Sequence, residues 1–396
     1  MRTIISDFWR LAVRYRLYTA LNVIGLGLGV ATFLTLALVA RYELSWDSFY
    51  RHSGSIYELQ ADFMIGSGTF HMAALHDPML PAVQTRMPGL QGTRLEQISA
   101  DLVAPSDISR TVHYDQTVSF VDPNFFDLFD LKFTAGSPAV LSSPENIILS
   151  ATMARQLFGT KPALGQTLEV TRHGKTSVYR VAGVLRDHPS NTTIPTDLIA
   201  AIPKTAAAPP CDGWDTMCAQ TYAVLPTADL RQSFLQNAHD VLMTSPMSRA
   251  IEQKDPGGEK MTLKIVPLPL VHFGSDGVAE DGASRSVLFA LAAIGTLSLL
   301  AGAMNYVNLA TAQSLGRARE VAIRKVLGAS HTRLMVRFLG ETLVLTTLAA
   351  ILGLVLTEIA VPTVASLSGW AVTLDYGWAL PLLCAVIVVL TMGAGF

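Results

Sequence analysis

Residues 304–341, MNYVNLATAQSLGRAREVAIRKVLGASHTRLMVRFLGE, decide the fold, because they place a basic segment between two long apolar runs. The apolar runs, residues 286–303 and 342–361, are each close to the roughly 20 residues that cross the hydrocarbon core of a bilayer. Arginine and lysine outnumber acidic residues between them, a bias that marks short loops on the cytoplasmic side. The stretch therefore predicts a membrane hairpin with a cytoplasmic tip.

The composition of the whole chain indicates an integral membrane protein. Half of the residues are hydrophobic and only 15% are charged, against about 25% in a typical soluble domain. The apolar residues concentrate in long runs, and we expect four transmembrane helices, at residues 17–40, 286–313, 339–364 and 378–396. The net charge is −2 and no basic stripe carries interleaved aromatic residues, which argues against a nucleic-acid partner.

The first apolar run follows a group of basic residues, Arg2, Arg10, Arg14 and Arg16. By the positive-inside rule these arginines place the N-terminus in the cytoplasm, and residues 41–285 and 365–377 on the far side of the membrane. Residues 1–16 also carry apolar and basic side chains on opposite faces, which predicts an amphipathic helix in the cytoplasmic interface. A cleaved signal peptide is the alternative, but the apolar run exceeds the roughly 7 to 15 residues of a signal core.

Residues 41–285 alternate short strand-like and helix-like segments, which predicts a large mixed α+β domain inserted between the first and second transmembrane helices. Ser150 and Gly159 bracket one helix as its N-cap and its stop. Residues 168–185 predict a β-hairpin, and Thr227 begins a further helix that runs to residue 243.

Small and polar residues in the apolar runs predict helix packing. Gly25 and Gly29 stand four residues apart, the spacing that lets a second helix approach the backbone closely. Asn305 and Asn308 share one face of the second transmembrane helix, where their amides are expected to bond a neighbouring helix or water. Glu358 has two readings, a carboxylate that reaches the interface or a functional group within the membrane.

The chain carries no motif for catalysis. It lacks a Walker A loop, an HExxH helix, a GxSxG elbow and any cysteine and histidine set at metal-ligand spacing. We therefore expect no cofactor and no metal, and any ATP must be used by another subunit. Cys211 and Cys218 flank the turn-rich stretch CDGWDTMC, where a local disulfide and free thiols are both open readings. Asn191-Thr192-Thr193 fits a glycosylation sequon but is read as a turn.

The basic loop, residues 314–338, predicts a short amphipathic helix of its own. Residues 317–327 follow Gly316 and place apolar side chains on one face, with a glycine after them as C-cap and Ser330 as cap of the next helix. A push on this short helix is expected to move both transmembrane helices that flank it. The alternative is a basic anchor without a partner. The candidate functional residues of the loop are Arg317, Arg319, Glu320, Arg324, Lys325 and Gly328.

The pattern NYVNLATA followed by RAREVAIRKVLGA, within residues 305–329, resembles the signature loop of FtsX-like ABC transporter permeases. The block YELSWDSFY, residues 42–50, is similar to the start of a MacB-like periplasmic core domain. Further blocks continue the likeness, VDPNFFDLFDLKFTAGSP at residues 121–138 and YRVAGVLRDHPSN at residues 179–191. The resemblance covers nearly the whole chain.

The resemblance implies a type VII ABC transporter, in which residues 317–328 form the coupling helix that seats in a groove of a cytosolic ABC ATPase subunit. Glu320, Arg324 and Lys325 are the polar contacts expected by this analogy. It also implies a second permease copy or half, and a periplasmic adaptor or substrate protein, as partners. Family members end in a short basic tail and often repeat the whole unit, so we expect a shortened copy or the N-terminal half of a longer permease.

We therefore expect a non-enzymatic permease subunit of the bacterial inner membrane. It couples ATP hydrolysis by a separate cytosolic ATPase to a periplasmic conformational change, by mechanotransmission, for the export or extraction of a substrate. The alternative is a signalling subunit that transports nothing and regulates a periplasmic partner by the same motion. A membrane-anchored binding protein is a third reading, but it does not explain the basic hairpin.

Overall fold

The computed structural model describes residues 16–395 except 66–67, 107–112, 173, 203–212, 250–259, 275–284, 327–329 and 369. The chain divides into two compact units. One unit consists of Met1–Leu44 and Ser284–Phe396, and the other consists of Ser45–Ala283. We call them the membrane unit and the inserted domain.

Among its described residues, the membrane unit contains four helices that are long and apolar enough to cross a bilayer, α1 (Arg16–Leu44), α7 (Arg285–Val326), α8 (His331–Ser368) and α9 (Tyr376–Gly395). This confirms the prediction of one N-terminal and three C-terminal apolar helices. Their apolar spans, Arg16–Leu44, Arg285–Ala312, Leu334–Ser368 and Tyr376–Gly393, extend or shift the predicted bounds by a few residues. The amphipathic helix predicted at residues 1–16 lies outside the described residues except for its last position.

Helix α7 differs from the prediction, because it continues without a break through Gly316 as far as Val326. The separate short helix predicted after that glycine is instead the end of the second transmembrane helix. A single glycine costs a helix only about 1 kcal/mol relative to alanine. The Arg, Ala, Glu and Lys residues that follow are strong helix formers, so this cost does not end the helix.

The described part of the inserted domain is a mixed sheet of 12 strands with helices against it, which confirms the predicted α+β fold. The strands are β1 (Ile56–Ile65), β2 (Gly68–Met72), β3 (Ala74–His76), β4 (Gly92–Pro105), β5 (His113–Val121), β6 (Phe133–Ala135), β7 (Asn146–Ser150), β8 (Thr167–Arg172), β9 (Lys175–Leu185), β10 (Leu198–Ala201), β11 (Met217–Val224) and β12 (Lys260–Pro267). The helices are α2 (Met79–Arg86), α3 (Phe125–Leu128), α4 (Ala151–Phe158), α5 (Ala228–Met243) and α6 (Leu268–Val271).

Strand pairing divides this sheet into two parts that share β4. Strands β4, β5, β10, β7, β9 and β8 pair in a closed ring, in which β10 with β5 and β7 with β9 are parallel. Strand β11 pairs with the first residues of β4, on the edge where β8 pairs with the last ones, and β1 and β12 follow β11. Strands β2 and β3 pair with β1 and β11. Apolar side chains of α4 pack with those of the ring, and those of α2 and α5 pack with β1 and β11.

The local signals of the inserted domain form as predicted. The side chain of Ser150 accepts a hydrogen bond from the amide of Met153 at the start of α4, and Gly159 follows the helix at φ 63°. The side chain of Thr227 accepts a hydrogen bond from the amide of Leu230 at the start of α5. Strands β8 and β9 form the predicted hairpin.

Candidate functional site

The tip of the hairpin formed by α7 and α8 carries exposed apolar side chains. Ile323 is 54% exposed and Val326 is 88% exposed. The two residues lie three apart on one helix, so they share a face. These two large apolar side chains lie on one face of the basic C-terminal end of α7, and they form a candidate contact surface. We call this pair the tip contact.

Of the predicted coupling residues, Lys325 lies beside the tip contact and is exposed. The backbone of the preceding turns is helical, but the side chains of most of these residues lie outside the described part of the chain: Arg317, Arg319, Glu320 and Arg324. Gly328 is likewise outside it. The coupling role of these residues stays a prediction.

Helices α7 and α8 are joined by a buried hydrogen bond within their apolar spans. The hydroxyl of Tyr306 on α7 and Oγ1 of Thr342 on α8 are 3.0 Å apart. Thr346, one turn further along α8, makes a similar bond of 3.0 Å to Thr391 on α9. These bonds tie the two arms of the hairpin to each other and to α9.

We expect Tyr306→Phe and Thr342→Val each to lower the free energy of unfolding by about 0.6 to 2 kcal/mol, the range of hydrogen bonds between transmembrane helices. SDS-induced unfolding in mixed micelles measures this, and the double variant gives the coupling energy between the two residues. Thr347→Val is the matched control, because the half-buried Thr347 bonds the carbonyl of Leu343 on its own helix and no residue of another helix. A coupling energy near zero contradicts the bond.

Helix α1 lies between α7 and α8, and its glycines make the two contacts possible. A Cβ atom on Gly25 would lie 2.9 Å from Nδ2 of Asn305, and one on Gly29 would lie 2.8 Å from the carbonyl oxygen of Ser298, both on α7. The structure thus brings three of the four predicted packing residues together. The fourth, Asn308, is exposed and takes no part in this contact.

The opposite side of α1 packs equally closely on α8. A Cβ atom on Gly353 would lie 2.6 Å from Cγ1 of Val30 and 3.0 Å from the carbonyl oxygen of Gly27. Contacts of this length leave no space for any side chain at Gly353. The backbones of α1, α7 and α8 therefore pack as one block, a geometry that small residues permit in membranes.

At the far end of α1 from its N-terminus, a group of side chains fixes the connection between α8 and α9. Nη2 of Arg41 lies 2.9 Å from Oδ2 of Asp375, and its guanidinium lies 4.9 Å from the ring centroid of Trp378. The hydroxyl of Tyr376 donates a hydrogen bond of 2.9 Å to Oε1 of Glu358. Of the two readings of Glu358, this contact favours a structural carboxylate that joins α8 to α9.

The inserted domain begins directly after α1 with a network of buried polar groups. Asp47 is fully buried, and its carboxylate accepts hydrogen bonds from the hydroxyl and amide of Thr193 and from the hydroxyl of Thr192. The amide of Asp47 donates to the carbonyl of Asn191, whose side chain donates to Ser45. Burial raises the pKa of Asp47, and the hydrogen bonds from Thr192 and Thr193 oppose that rise.

The last described segment of the inserted domain joins this network through an aromatic contact. The rings of Trp46 and His272 stack with centroids 3.6 Å apart and planes within 7° of parallel. His272 directly follows α6, near the point where the chain leaves the domain toward α7. We call this set, Ser45, Trp46, Asp47, Asn191, Thr192, Thr193 and His272, the entry network. It fastens the first segment of the domain to its last segment and to the loop after β9.

The entry network is absent from the predictions made from the sequence. Residues 191–193 are predicted there as a turn, whereas the structure uses all three side chains to hold the segment that follows α1. Their partners lie about 145 positions earlier in the chain, so no local pattern could show the pairing. The available signal was the combination of adjacent threonines with an aspartate that follows a membrane helix.

Neither the described cysteines nor the described groups that could bind a metal form a further candidate site. Cys218 is disulfide-bonded, and Cys384 is a free thiol on α9. Cys211, the other cysteine of the possible disulfide, lies outside the described residues. Among the described residues, no group of three or more His, Cys, Asp or Glu side chains is placed to hold a metal ion.

Two protein families match the chain. The model of the MacB-like periplasmic core domain matches residues 19–240, and the model of the C-terminal region of FtsX-like permeases matches residues 292–396. The first match covers α1 and most of the inserted domain, and the second covers most of the remaining transmembrane helices. Together with the four apolar helices, these matches describe a multi-pass membrane protein.

The chain is similar to several known proteins. It is 22% identical over 364 residues to the macrolide export ATP-binding/permease protein MacB of Burkholderia pseudomallei. This alignment covers 88% of this chain and 50% of that relative. It is 21% identical over 294 residues to the uncharacterized ABC transporter permease YknZ of Bacillus subtilis, covering 71% of this chain and 67% of that one. The chain thus spans about half the length of the MacB relative.

Among solved structures, a domain of a putative permease protein from Porphyromonas gingivalis aligns with a TM-score of 0.46 at 18% identity. This alignment covers 55% of the present chain and 91% of that domain. The family assignment depends on the sequence matches, because they cover more than half of the chain. The chain belongs to the family of FtsX-like ABC transporter permeases that carry a MacB-like periplasmic core domain.

Proposed function

We propose that this permease transmits movement from a cytosolic ABC ATPase to its MacB-like domain, and that this movement exports or extracts a substrate. In this proposal the N-terminus and the tip contact lie in the cytoplasm and the inserted domain lies in the periplasm. ATP is hydrolysed by the separate ATPase. The permease itself catalyses no reaction and needs no cofactor.

The observation that supports the proposal most directly is the continuity of α7. Its 42 residues run from the tip contact through the whole apolar span. At 1.5 Å per residue the helix is about 63 Å long, more than the roughly 30 Å of a hydrocarbon core. A displacement of its tip therefore reaches the other end of the span without an intervening loop that could absorb it.

The packing of α1 extends this movement to the start of the inserted domain. Because glycine contacts hold α1 closely between α7 and α8, a tilt of the hairpin carries α1 with it. Helix α1 ends at Leu44, and the entry network begins with the next residue. The entry network is thus the first group in the inserted domain to receive a displacement of α1.

The partners of this arrangement follow from the same surfaces. The tip contact would dock in the ATPase, with Arg317, Arg319, Glu320, Arg324 and Lys325 as polar neighbours. A second permease copy or half would complete the transporter. A periplasmic adaptor or substrate protein would meet the inserted domain.

The experiment that tests the proposal is co-purification of the tagged chain, in detergent, with the ABC ATPases of its own cell. We expect wild type to retain one ATPase. The Val326→Asp variant should retain at least about tenfold less of this ATPase, because burying a charge at a contact residue costs more than the 1.4 kcal/mol that corresponds to tenfold. Leu367→Asp is the matched control, because Leu367 is 85% exposed at the opposite end of α8.

Retention of the ATPase by Val326→Asp to the level of wild type contradicts docking through the tip contact. Loss with both variants would indicate a general defect of insertion. A signalling subunit is separated from a transporter by the stimulus, because only a transporter raises the rate of ATP hydrolysis when cargo is added.

A further inference from the structure

The inserted domain contains three carboxyl groups around one arginine. Arg94 and Glu96 lie two residues apart on β4, so their side chains project from the same face of the sheet. Asp77 lies just after β3 and Asp122 just after β5. Glu96 is only 1% exposed. This group is separate from the entry network and plays no part in the proposed transmission of movement.

The hydrogen bonds of Arg94 go to two of the three carboxyl groups. Its Nη1 donates to Oδ1 of Asp77 at 2.6 Å and to the carbonyl oxygen of Asp77 at 3.2 Å. Its Nε and Nη2 donate to the two carboxylate oxygens of Asp122 at 3.0 and 2.6 Å. The guanidinium thus neutralises one charge and orients Asp77 and Asp122, and none of these hydrogen bonds goes to Glu96.

The carboxyl group of Asp77 is close enough to that of Glu96 to raise its pKa, as a contact between two carboxyl groups does. An ionised carboxylate only accepts hydrogen bonds, so two carboxyl groups can bond to each other only if one of them carries a proton. The second oxygen of Glu96, Oε2, is buried and has no partner among the described residues. A buried carboxylate oxygen in that position would be costly if charged.

The surroundings of Glu96 offer little to stabilise its negative charge. The residues opposite it on the flanking strands are Ala219 on β11 and Phe120 on β5. Helix α2 also contacts β4, and its charged residue is Arg86. Nη1 of Arg86 lies 3.6 Å from Oδ2 of Asp240, so this arginine pairs with Asp240. Burial, followed by the contact with Asp77, raises the pKa of Glu96 to about 8, although Arg94 acts in the opposite direction.

We propose that Asp77 and Glu96 form a proton-binding site that holds one shared proton at neutral pH and links the stability of the inserted domain to the pH around it. The ligand is a proton. It is taken up from the solvent by one carboxylate of the pair and released to solvent when the pair becomes fully ionised. No other reactant is needed.

The direction of the pH dependence follows from the two states of Glu96. Its ordinary pKa is 4.5, and in the folded domain the pKa is raised to about 8. Below pH 4.5 both the folded and the unfolded states carry the proton, so the contribution of Glu96 to the free energy of unfolding is at its highest. Between these two pH values only the folded state keeps it, and stability therefore falls as the pH rises through this window. Above pH 8 the loss is complete.

Hydrogen exchange of the full-length chain in detergent tests the proposal from pH 5 to pH 9. Protection factors of amides in β4 and β11, corrected for the intrinsic exchange rate at each pH, report the opening of this region. We expect wild-type protection to fall at least about tenfold across the window, since a raised carboxyl pKa makes folding take up a proton. Glu96→Gln, which keeps the shape without the titration, should remove this fall and exceed wild type at pH 8.

Asp101→Asn is the matched control, because Asp101 is an exposed acid on the same strand and its loss should leave the wild-type profile unchanged. If Glu96→Gln does not fold, Asp77→Asn replaces it and should move the fall to a lower pH. Infrared spectra add a direct measurement, a protonated carboxyl band at pH 7 that Glu96→Gln removes. An unchanged pH profile in Glu96→Gln, or no such band in wild type, would overturn the proposal.

Discussion

Replacement of Asp47 by alanine is expected to cause the largest loss of stability among the changes considered. The carboxylate of Asp47 accepts hydrogen bonds from the hydroxyl of Thr192 and from the hydroxyl and amide of Thr193. A hydrogen bond to a charged group contributes about 1.5 to 3 kcal/mol, and its loss here leaves buried donors without partners. We therefore expect Asp47→Ala to destabilise residues 45–50 and 191–194 by about 4 kcal/mol or more, measured as the opening free energy in hydrogen exchange.

Part of this loss comes from the backbone, and two further variants separate the contributions. Asp47 has φ 54°, in the left-handed region that glycine and asparagine tolerate better than alanine. Asp47→Gly removes the hydrogen bonds without the strain, and should be about 1 to 2 kcal/mol more stable than Asp47→Ala. Asp47→Asn keeps one carbonyl acceptor and should be the mildest of the three. Equal stability of all three variants would contradict the described geometry.

Replacement of Gly353 by leucine is expected to separate α1 from α8. Even a Cβ atom at this position would lie 2.6 Å from Cγ1 of Val30, and the carbonyl oxygen of Gly27 lies behind it. Overpacking of a few methylene groups costs about 1 to 3 kcal/mol, and a leucine here must push two helix backbones apart. We expect a loss of about 3 kcal/mol or more in SDS-induced unfolding, together with loss of ATPase stimulation in a reconstituted complex.

Gly393→Leu is the control for this change. Gly393 lies in α9 and has nothing within 4 Å of its Cβ position, so the same residue type is added to the same kind of helix without a clash. Its unfolding should match wild type within about 0.5 kcal/mol, as expected of substitutions that disturb no packing. If Gly353→Leu unfolds like Gly393→Leu, α1 does not pack on α8 as described.

The transmembrane helices and the type of inserted domain could be predicted from the sequence, because the signals for both are local. The length of an apolar run can be read from the sequence without knowing what the helix packs against. Helix ends are marked by Ser150, Thr227 and Gly159 through hydrogen bonds to residues near them in the chain. The continuity of α7 could not be predicted in the same way. Gly316 is a local signal for a break, and the helix formers around it outweigh that signal.

Of the contacts that support the proposed function, the sequence predicted only those indicated by the spacing of residues within a single helix. The spacing of Gly25 and Gly29 indicated close packing, but it did not identify Asn305 and Ser298 as the residues that fill the space. The pairing of Asp47 with Thr192 and Thr193, like that of Asp77 with Glu96, depends on how distant segments fold together. Such pairings have no period or spacing in a single sequence.

The measurement that tests the central claim most directly is hydrogen exchange of the purified permease and ATPase complex with and without ATP. The account predicts that ATP changes the protection of the tip contact and also of residues 45–50 and 191–194 in the entry network. Asp47→Asn should retain the change at the tip and reduce the change in the entry network. A wild-type complex in which ATP alters the tip alone would contradict the transmission of movement into the inserted domain.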